Sequence, residues 1–595
     1  MLPSILLLAV FLAGAIAMPS HAQPATRVSS GAVAPSQALR ALFADEWERG
    51  LRDSPENASY VGDTRYDDRW SDLSLSAITS REAADRVALQ KLHAIDRATL
   101  PPNEQLNFDI FEWTLTHTIE RHQFREYLQP VTHQNGPQLE DSIAEVMPFS
   151  TTADYRKFLS RLAALPARIG QAIELMKEGV KTGNVPPRVL MERVPAQIAA
   201  QIGEDPSKSP FYRPFLKFGD GVPVTDHATL RTEAQASIRD SVVPAFRALD
   251  AYVSEQYLPR TRASIAATAL PDGKARYQFL VRFNTTTNLG VDEIHDIGLK
   301  EVARLRAAME KLKGEIGFEG PLQSFFVHLR TDPRFFHKAP DELLSAYRAM
   351  AKRVDPMLVR VSRTIPRLPY GVRAIPANAA PDTTTAYYQP GAVDGTRPGY
   401  FYVNLYKPES RPIWEMMPLT LHESVPGHHF QFARAIEMPD VPMFRKTFSF
   451  AAFDEGWGLY SELLGYDMGL YDDPYDRFGQ LSYEIWRAVR LVVDTGLHAK
   501  GWSREKAITY FKDNTAKTEL DVVNEIDRYI GDPGQALAYK IGQLKISELR
   551  LRAQAALGAK FDLRDYDDAV LLIGSVPLAM LEVHVDAWIT ERKGR

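Results

Sequence analysis

Apolar residues recur three and four positions apart along most of this chain, which is the period of an amphipathic helix. The segments "ALRALFADEWERGL" and "YRKFLSRLAALPARIGQAIELMKEGV" carry the pattern, and another helical block runs from Val291 to about Ile316. Asp473 and Pro474, a cap followed by proline at the first helical position, predict the start of a helix that ends near Lys500. We therefore expect a mainly α protein.

One region departs from this pattern and has the character of a β-hairpin. "AYYQP" and "GYFYVNLY" are aromatic and β-branched runs, and the turn-rich segment "GAVDGTRP" joins them. The helical body is thus expected to contain a small antiparallel sheet directly before a histidine-rich segment. We place a soft boundary near residue 275, between an N-terminal helical region (residues 39–274) and a C-terminal region (residues 275–595) that carries the candidate site.

Composition excludes several classes of protein. The 595 residues carry a formal net charge of -5, with acidic and basic residues interspersed. The sequence has no run of Lys and Arg and no interleaved aromatic patch, so no nucleic acid partner is expected. It has no glycine-rich phosphate loop either. The chain contains no cysteine, which excludes disulfide bonds, thiolate metal ligands, a cysteine nucleophile and a lipid anchor on a cysteine.

The N-terminal segment "SILLLAVFLAGAIA" has the length and apolar character of a signal peptide and is short for a membrane span. Ser20 and Ala22 are small residues at the expected cleavage positions, which predicts a signal peptide over residues 1–22 and a flexible lead-in over residues 23–38. A buried N-terminal helix is the alternative, because no Lys or Arg precedes the apolar stretch. We expect a periplasmic or secreted protein, without a stable membrane span after cleavage.

The segment "LTLHESVPGHHFQFA" resembles an H-E-x-x-H zinc motif but departs from its spacing. His422 and Glu423 supply the leading pair, whereas Pro426 occupies the position of the second histidine. In the standard motif two histidines four residues apart share one helix face and bind one zinc ion. His422 and His428 are six residues apart, so an unbroken helix would place them about 240° apart around its axis.

The residues between the histidines favour a break in the helix. Pro426 lacks the N–H that would bond to the carbonyl of His422, and Gly427 permits sharp backbone turns. A bulge at these two residues can return His428 to the side of His422. Glu455, in "FDEGWGLYSE", lies on a helical pattern and can supply a third ligand. Spacing alone leaves open a second interpretation, in which these His and Glu side chains only bond to one another.

Several separated motifs together resemble one protein family. They are "LRDSPENASYVGDTRYDDRWSDLS", "YYQPGAVDGTRPGYFYVNLY", "LHESVPGHHFQ", "DEGWGLYSE", "RAVRLVVDTGLH" and "DPGQALAYKIGQLKISELR". In this order they are similar to the domain-of-unknown-function family numbered 885, over roughly residues 38 to 590. That family is grouped with H-E-x-x-H zinc metallopeptidases and resembles the thimet oligopeptidase and carboxypeptidase Taq families in layout. The resemblance implies a helical body around a deep channel, with "GYFYVNLY" as an edge strand that can pair with a substrate backbone.

The resemblance also implies roles for individual residues. His422 and Glu423 match the leading H-E pair, in which the histidine binds the metal and the glutamate is the catalytic base. His428 matches the second metal ligand, with His429 as the alternative, and Glu455 matches the third ligand. A two-residue insertion relative to H-E-x-x-H is the departure of this sequence from the pattern.

A donor for the oxyanion of the reaction is less well defined by the sequence. Tyr539, in "AYKIG", resembles a late tyrosine of the carboxypeptidase Taq family that fills this role, but it can also be a core tyrosine. Asp494 and His498 are four residues apart in "DTGLH". They can bond to each other, or His498 can replace Tyr539. Arg373 and Arg397 are possible anchors for a substrate carboxylate.

The combined hypothesis is an exported zinc metallopeptidase that uses one Zn2+ ion and acts on a peptide substrate, carboxypeptidase-like or oligopeptidase-like. Two alternatives remain at this stage. The first is a metal-dependent hydrolase of another amide or ester, with the same site and a different pocket. The second is a catalytically inactive exported binding protein. A serine hydrolase does not fit, because the chain contains no G-x-S-x-G motif.

Overall fold

The computed structural model describes residues 30–377 and 379–594. The signal peptide predicted over residues 1–22 lies outside the described residues. The helices of the first half are α1 (Ser30–Asp53), α2 (Pro55–Val61), α3 (Leu75–His93), α4 (Pro102–His122), α5 (Thr152–Thr182), α6 (Arg188–Met191), α7 (Val194–Ala199), α8 (Val224–Ser237), α9 (Val243–Tyr252), α10 (Gly273–Thr285) and α11 (Val291–Ile316). Those of the second half are α12 (Leu322–Thr331), α13 (Pro340–Val354), α14 (Met416–Glu423), α15 (His428–Ile436), α16 (Met443–Thr447), α17 (Ala451–Met468), α18 (Pro474–Ala499), α19 (Arg504–Asn514), α20 (Glu519–Gly531), α21 (Ala538–Leu557), α22 (Leu563–Leu572) and α23 (Leu578–Gly594).

The prediction of a mainly α protein is confirmed, and local signals set several helix ends. Helix α11 begins and ends at the residues that the apolar period indicated. Helix α18 begins at Pro474, where the carboxylate of Asp473 accepts a hydrogen bond of 2.8 Å from the backbone N–H of Tyr475. Helix α1 already begins at Ser30, so residues 30–38 of the expected flexible lead-in are helical.

The small sheet has three strands, β1 (Tyr370–Ala374), β2 (Ala386–Gln389) and β3 (Gly399–Val403), in the order β1-β3-β2. Strands β2 and β3 form the predicted antiparallel hairpin, with Tyr388 opposite Phe401. Strand β1, which was not predicted, pairs parallel with β3 and places Val372 opposite Phe401. The prediction that "GYFYVNLY" is an edge strand is therefore wrong, because β3 is central and β2 lies at the edge.

Hydrophobic cores join distant parts of the chain. The largest core contains Leu39 and Phe111 from the N-terminal helices together with Trp457 and Leu549 from the C-terminal ones. A second core surrounds α11, α18 and the sheet, and a third is formed by residues between 131 and 257. The predicted boundary near residue 275 falls inside α10, and the two regions that it separates share the largest core.

Close contact between α17 and α21 positions two of the candidate site residues. A Cβ atom on Gly542 would lie 1.8 Å from the carbonyl oxygen of Ala452, so only glycine allows the two helices to approach this closely. Glu455 on α17 and Tyr539 on α21 thereby line one cavity. Across the part of the chain that the structure describes, we find no helix with the length and apolar character of a membrane span.

Candidate metal centre

The helix that begins at Met416 breaks between its two histidines. Helix α14 ends at Glu423, the Val425–Pro426 peptide bond is cis, and α15 begins at His428. A Cβ atom on Gly427 would lie 2.0 Å from the carbonyl oxygen of His422. Gly427 has a negative φ of -76°, so glycine is required here for space and not for a left-handed backbone.

This break brings the imidazole rings of His422 and His428 together, with 4.7 Å between their centroids and an interplanar angle of 89°. The Nε2 atoms lie 3.5 Å (His422) and 3.3 Å (His428) from one carboxylate oxygen of Glu455. Within the described residues these three side chains offer ligand atoms that all lie within 4.8 Å of one another. The two distances to Glu455 are close to those of a tetrahedral site, where ligand atoms about 2.1 Å from zinc lie about 3.4 Å apart.

The carboxylate oxygen of Glu455 that faces both histidines is buried, and it accepts no hydrogen bond from the described residues, although the two Nε2 atoms lie 3.3 and 3.5 Å away. Long contacts of this kind compensate poorly for the burial of a carboxylate, so the arrangement favours a bound cation. Two imidazole nitrogens and one carboxylate are the ligand set of catalytic zinc sites that keep a fourth position open. The three residues thus fit a divalent metal ion.

Neighbouring side chains orient the first histidine. The Nδ1–H group of His422 donates a hydrogen bond of 2.9 Å to Glu462, which lies 3.5 Å from Arg487. A Cβ atom on Gly458 would lie 2.9 Å from two ring atoms of His422 and 3.1 Å from His428. The backbone of α17 therefore supports both rings at a distance that only glycine permits.

The electrostatics of the group is that of a cluster which shares a proton. Burial opposes a charge on His422, but the carboxylates of Glu455 and Glu462 outweigh it and raise the pKa of His422 to about 9. Burial also opposes a charge on Glu455 and by itself would raise the pKa of that carboxyl group. The neighbouring His422 and His428 outweigh this effect and hold the pKa of Glu455 well below its usual range. A metal ion would replace the proton that this cluster holds.

Two further candidate residues line the same cavity, which has a volume of about 360 Å³. Burial raises the pKa of Glu423 from its ordinary value, which is the direction that suits a general base near neutral pH. Burial also raises the pKa of Tyr539 to about 12, so its hydroxyl stays a neutral donor. The rings of Tyr539 and His422 are nearly parallel, with centroids 6.3 Å apart.

The alternative ligand His429 points away from the cluster. Its Nδ1 lies 2.9 Å from the hydroxyl of Tyr388, and its Nε2 lies 3.0 Å from the carbonyl oxygen of Leu368. Burial lowers the pKa of His429 to about 4. Both ring nitrogens are thus occupied, and His429 joins α15 to the sheet.

The alternative oxyanion donor His498 is also occupied. Its Nδ1 accepts a hydrogen bond of 2.9 Å from the backbone N–H of Ala267, and its Nε2–H donates one of 2.9 Å to the carbonyl of Tyr529. Asp494 instead accepts hydrogen bonds from Tyr277 and from the backbone N–H of Gly534. Asp494 and His498 therefore do not form the pair that their spacing suggested.

The two arginines suggested as substrate anchors have other partners. Arg373 donates to the hydroxyl of Tyr400 at 2.6 Å and stacks on the same ring. Arg397 donates to the carbonyl oxygens of Pro390 and Tyr60. Neither arginine is among the residues that line the cavity of the metal cluster. The proposal of these two residues as anchors is not supported by their position.

Other arginines, which sequence reasoning missed, do line this cavity: Arg487 and Arg490 on α18 and Arg528 on α20. The sequence contained a signal for two of them, because Arg487 and Arg490 interrupt the otherwise apolar run "IWRAVRLVV" within α18. Glu462 was also missed. It lies seven residues after Glu455, which places both carboxylates on one face of α17.

A second cavity, of about 580 Å³, adjoins the first. Both are lined by residues on or beside the edge strand β2, namely Thr384, Tyr387, Tyr388 and Pro390, and by Arg528. Within the described sheet, β2 pairs with β3 alone. The edge strand β2 therefore lies beside both cavities.

Comparison with known proteins identifies the same family that the sequence motifs resemble. The family described as "Bacterial protein of unknown function (DUF885)" matches residues 55–585. The crystal structure of "the putative lipoprotein from Colwellia psychrerythraea" is 30% identical, covers 94% of this chain and 99% of its own, and has a TM-score of 0.88. A "putative lipoprotein of unknown function from Shewanella oneidensis" is 18% identical, covers 92% and 99%, and shares the fold with a TM-score of 0.68. No curated protein matches the chain.

Proposed function

We propose that this chain, which belongs to the DUF885 family of bacterial proteins, is a zinc-dependent hydrolase of peptide bonds. The observation that carries the proposal is the convergence of His422, His428 and Glu455 at the wall of a cavity that Glu423 also lines. When bound there, zinc would lower the pKa of a water molecule and polarise a carbonyl group.

The remaining side chains have roles that follow from their chemistry. Glu423 accepts a proton from the attacking water and transfers it to the leaving amine. Tyr539 donates its hydroxyl proton in a hydrogen bond to the oxygen of the tetrahedral intermediate. Glu462 holds His422 in the tautomer whose Nε2 faces the metal position. Arg487, which lies 3.5 Å from Glu462, balances the charge of that carboxylate.

The edge strand beside the site supports a peptide as substrate. Strand β2 (Ala386–Gln389) exposes backbone groups that an extended chain can pair with, and such pairing is tolerant of the substrate sequence. The second cavity gives an extended chain room to continue past β2. A role outside the cytoplasm is supported by the relatives, which are described as lipoproteins.

A measurement of bound zinc together with hydrolysis tests the proposal. Purified protein dialysed against zinc should retain one ion per chain and should cleave members of a peptide library, analysed by mass spectrometry. The isosteric variant Glu423→Gln should keep the zinc and lose about 10²- to 10⁴-fold in rate, since it removes a general acid–base group.

Three other outcomes would contradict parts of the proposal. Protein that binds no zinc under these conditions supports an exported binding protein. Cleavage of small amides or esters without cleavage of any peptide supports a different metal-dependent hydrolase. Loss of zinc from Glu423→Gln would make Glu423 a ligand or a structural residue.

A further inference from the structure

The wall of the metal cavity that α18 and α20 form carries more positive than negative charge. Arg490 and Arg528 both donate to the same carboxylate oxygen of Glu525, at 2.9 and 3.0 Å. One carboxylate thus faces two guanidinium groups. Arg487, on the same wall, is paired with Glu462, whose carboxylate also accepts from His422. The wall therefore has an excess of about one positive charge.

Arg490 has a donor that no other described residue uses. Its Nε donates to the hydroxyl of Tyr529 at 2.8 Å and its Nη2 donates to Glu525, whereas its Nη1 is buried and has no hydrogen-bond partner within residues 30–377 and 379–594. The side chain is only 3% exposed, and it lines the cavity. An unpaired donor on a buried charged group is costly, so it indicates a ligand that binds there.

The position of Arg490 relative to the metal cluster limits the size of that ligand. The guanidinium carbon of Arg490 lies 4.2 Å from the ring centroid of Tyr539, and the ring of His422 lies 6.3 Å from the same centroid. The guanidinium carbon and the centre of the His422 ring are therefore at most about 10.5 Å apart. A bound carboxylate, one residue of extended chain with a span of about 3.3–3.6 Å, and a metal ion about 2.1 Å from the imidazole nitrogen fit within this distance.

We propose that Arg490, assisted by Arg528, binds the free C-terminal carboxylate of the substrate, so that the site releases the last residue of a peptide. A carboxylate matches the planar donors and the charge of a guanidinium group. Arg487 and Arg490 line the first cavity alone, whereas Arg528 and the residues on or beside β2 line both cavities. The substrate thus ends at Arg490 and extends toward the second cavity in its N-terminal direction.

This inference rests on the proposed hydrolase, and its test uses pairs of ligands that differ only at the C-terminus. A library of N-acetyl dipeptides with each of the twenty C-terminal residues is prepared as free acids and as carboxamides. For the zinc-loaded protein we expect kcat/KM to be about 10- to 100-fold higher for the acids, the effect of one charged hydrogen-bonded pair. Equal cleavage of acids and amides would overturn the anchor and leave the hydrolase intact.

A side-chain carboxylate is the other possible source of the same chemistry. In that case the preference would be confined to dipeptides that end in Asp or Glu and would persist in their amides. This result would overturn C-terminal recognition.

Variants test whether Arg490 causes the preference for free acids. Arg490→Gln and Arg490→Lys should lower the ratio of acid to amide cleavage toward one. Arg504→Gln, which removes a similar ion pair with Asp527 outside the cavity, should keep the ratio.

Binding to the Glu423→Gln protein separates failure of the anchor from failure of the hydrolase. Calorimetry with the same acids and amides requires no turnover. Tighter binding of the acids that depends on Arg490, without cleavage by the wild-type protein, would support the anchor and refute the hydrolase. Equal affinity for acids and amides would refute the anchor whatever the wild-type protein cleaves.

Discussion

The Nδ1–H group of His422 donates a hydrogen bond of 2.9 Å to the carboxylate of Glu462, and both side chains are buried. A carboxylate in this position fixes the orientation of the imidazole ring and increases the basicity of its other nitrogen. That nitrogen, Nε2, is the atom that faces Glu455. In the proposed zinc site, Glu462 would therefore strengthen His422 as a ligand through this hydrogen bond.

The variant Glu462→Gln should weaken zinc binding about 10- to 100-fold, because a neutral amide accepts the Nδ1–H bond without the charge. Competition with a chelator of known affinity measures the effect. Glu582→Gln is the control, since Glu582 pairs with Arg552 and Lys545 away from the site. Equal affinity of the Glu462→Gln and Glu582→Gln proteins would show that Glu462 has no influence on the metal.

Zinc binding should weaken as pH falls. The pKa of His422 is raised to about 9 without metal, so below pH 9 the ion must displace a proton. The apparent affinity should therefore fall by up to tenfold per pH unit, or about 100-fold between pH 8.5 and pH 6.5. Titrations at both values, in buffers of different ionisation enthalpy, measure the affinity and the released proton. An affinity that is independent of pH over this interval would mean that His422 is already neutral.

Substitutions of the adjacent residues His428 and His429 should have different effects on zinc binding. His428→Gln should abolish stoichiometric zinc binding, because it removes one of the three ligand atoms. His429→Gln should retain the ion, since the ring of His429 bonds to Tyr388 and to the carbonyl of Leu368 instead. Metal analysis of the two folded proteins compares them directly. Retention of zinc by the first and loss by the second would reverse the assignment.

The close packing of Gly458 against the rings of His422 and His428 gives a further test of the metal site. Gly458→Ala places a methyl group 2.9 Å from atoms of the His422 ring and 3.1 Å from the His428 ring. The rings must then shift away from α17, and we expect zinc affinity to fall by at least tenfold. Gly170→Ala is the matched control on α5, where a Cβ atom would meet nothing within 4 Å. That change should stabilise the protein by about 0.5–1 kcal/mol. Chelator competition and thermal unfolding measure the two effects, and unchanged affinity in Gly458→Ala would contradict the packing.

Much of the fold could be predicted because its signals are local. The ends of α11 and the cap of α18 at Asp473 are determined by a few neighbouring residues. The sheet order could not be predicted in the same way. Strand β1 pairs with β3 across about thirty residues, with Tyr370 opposite Gly399. A short run such as "YGVRA" has no period that distinguishes it from a loop.

The candidate site also contains some residues that the sequence predicted and others that only the structure reveals. His422, His428 and Glu455 belong to recognisable motifs, and the proline–glycine break between the histidines could be derived from backbone chemistry alone. The proposed role of Arg490 could not be derived from the sequence, since it depends on how α18 packs against α20. Only the structure shows that Glu525 faces two arginines and leaves one donor unpaired.

Buried neutral histidines should limit stability in acid. Burial lowers the pKa of His498 to about 4, whereas an unfolded histidine titrates near 6.5. Between these values the unfolded state binds a proton that the folded state does not, so the free energy of unfolding falls as pH decreases from 6.5 to 4. His498 alone should contribute about 3 kcal/mol to this loss. His429, whose pKa is also lowered to about 4, should contribute a similar amount.

The variant His498→Gln isolates the contribution of one histidine. Its absolute stability will differ from wild type, because the bonds to Ala267 and Tyr529 change. The comparison is therefore the difference in free energy of unfolding between pH 7 and pH 4.5 within each protein, measured by denaturant titration. The variant should lose about 2–3 kcal/mol less than wild type over this interval, since glutamine has no proton to gain. An equal loss in both proteins would mean that His498 accepts a proton as readily in the folded state as in the unfolded state.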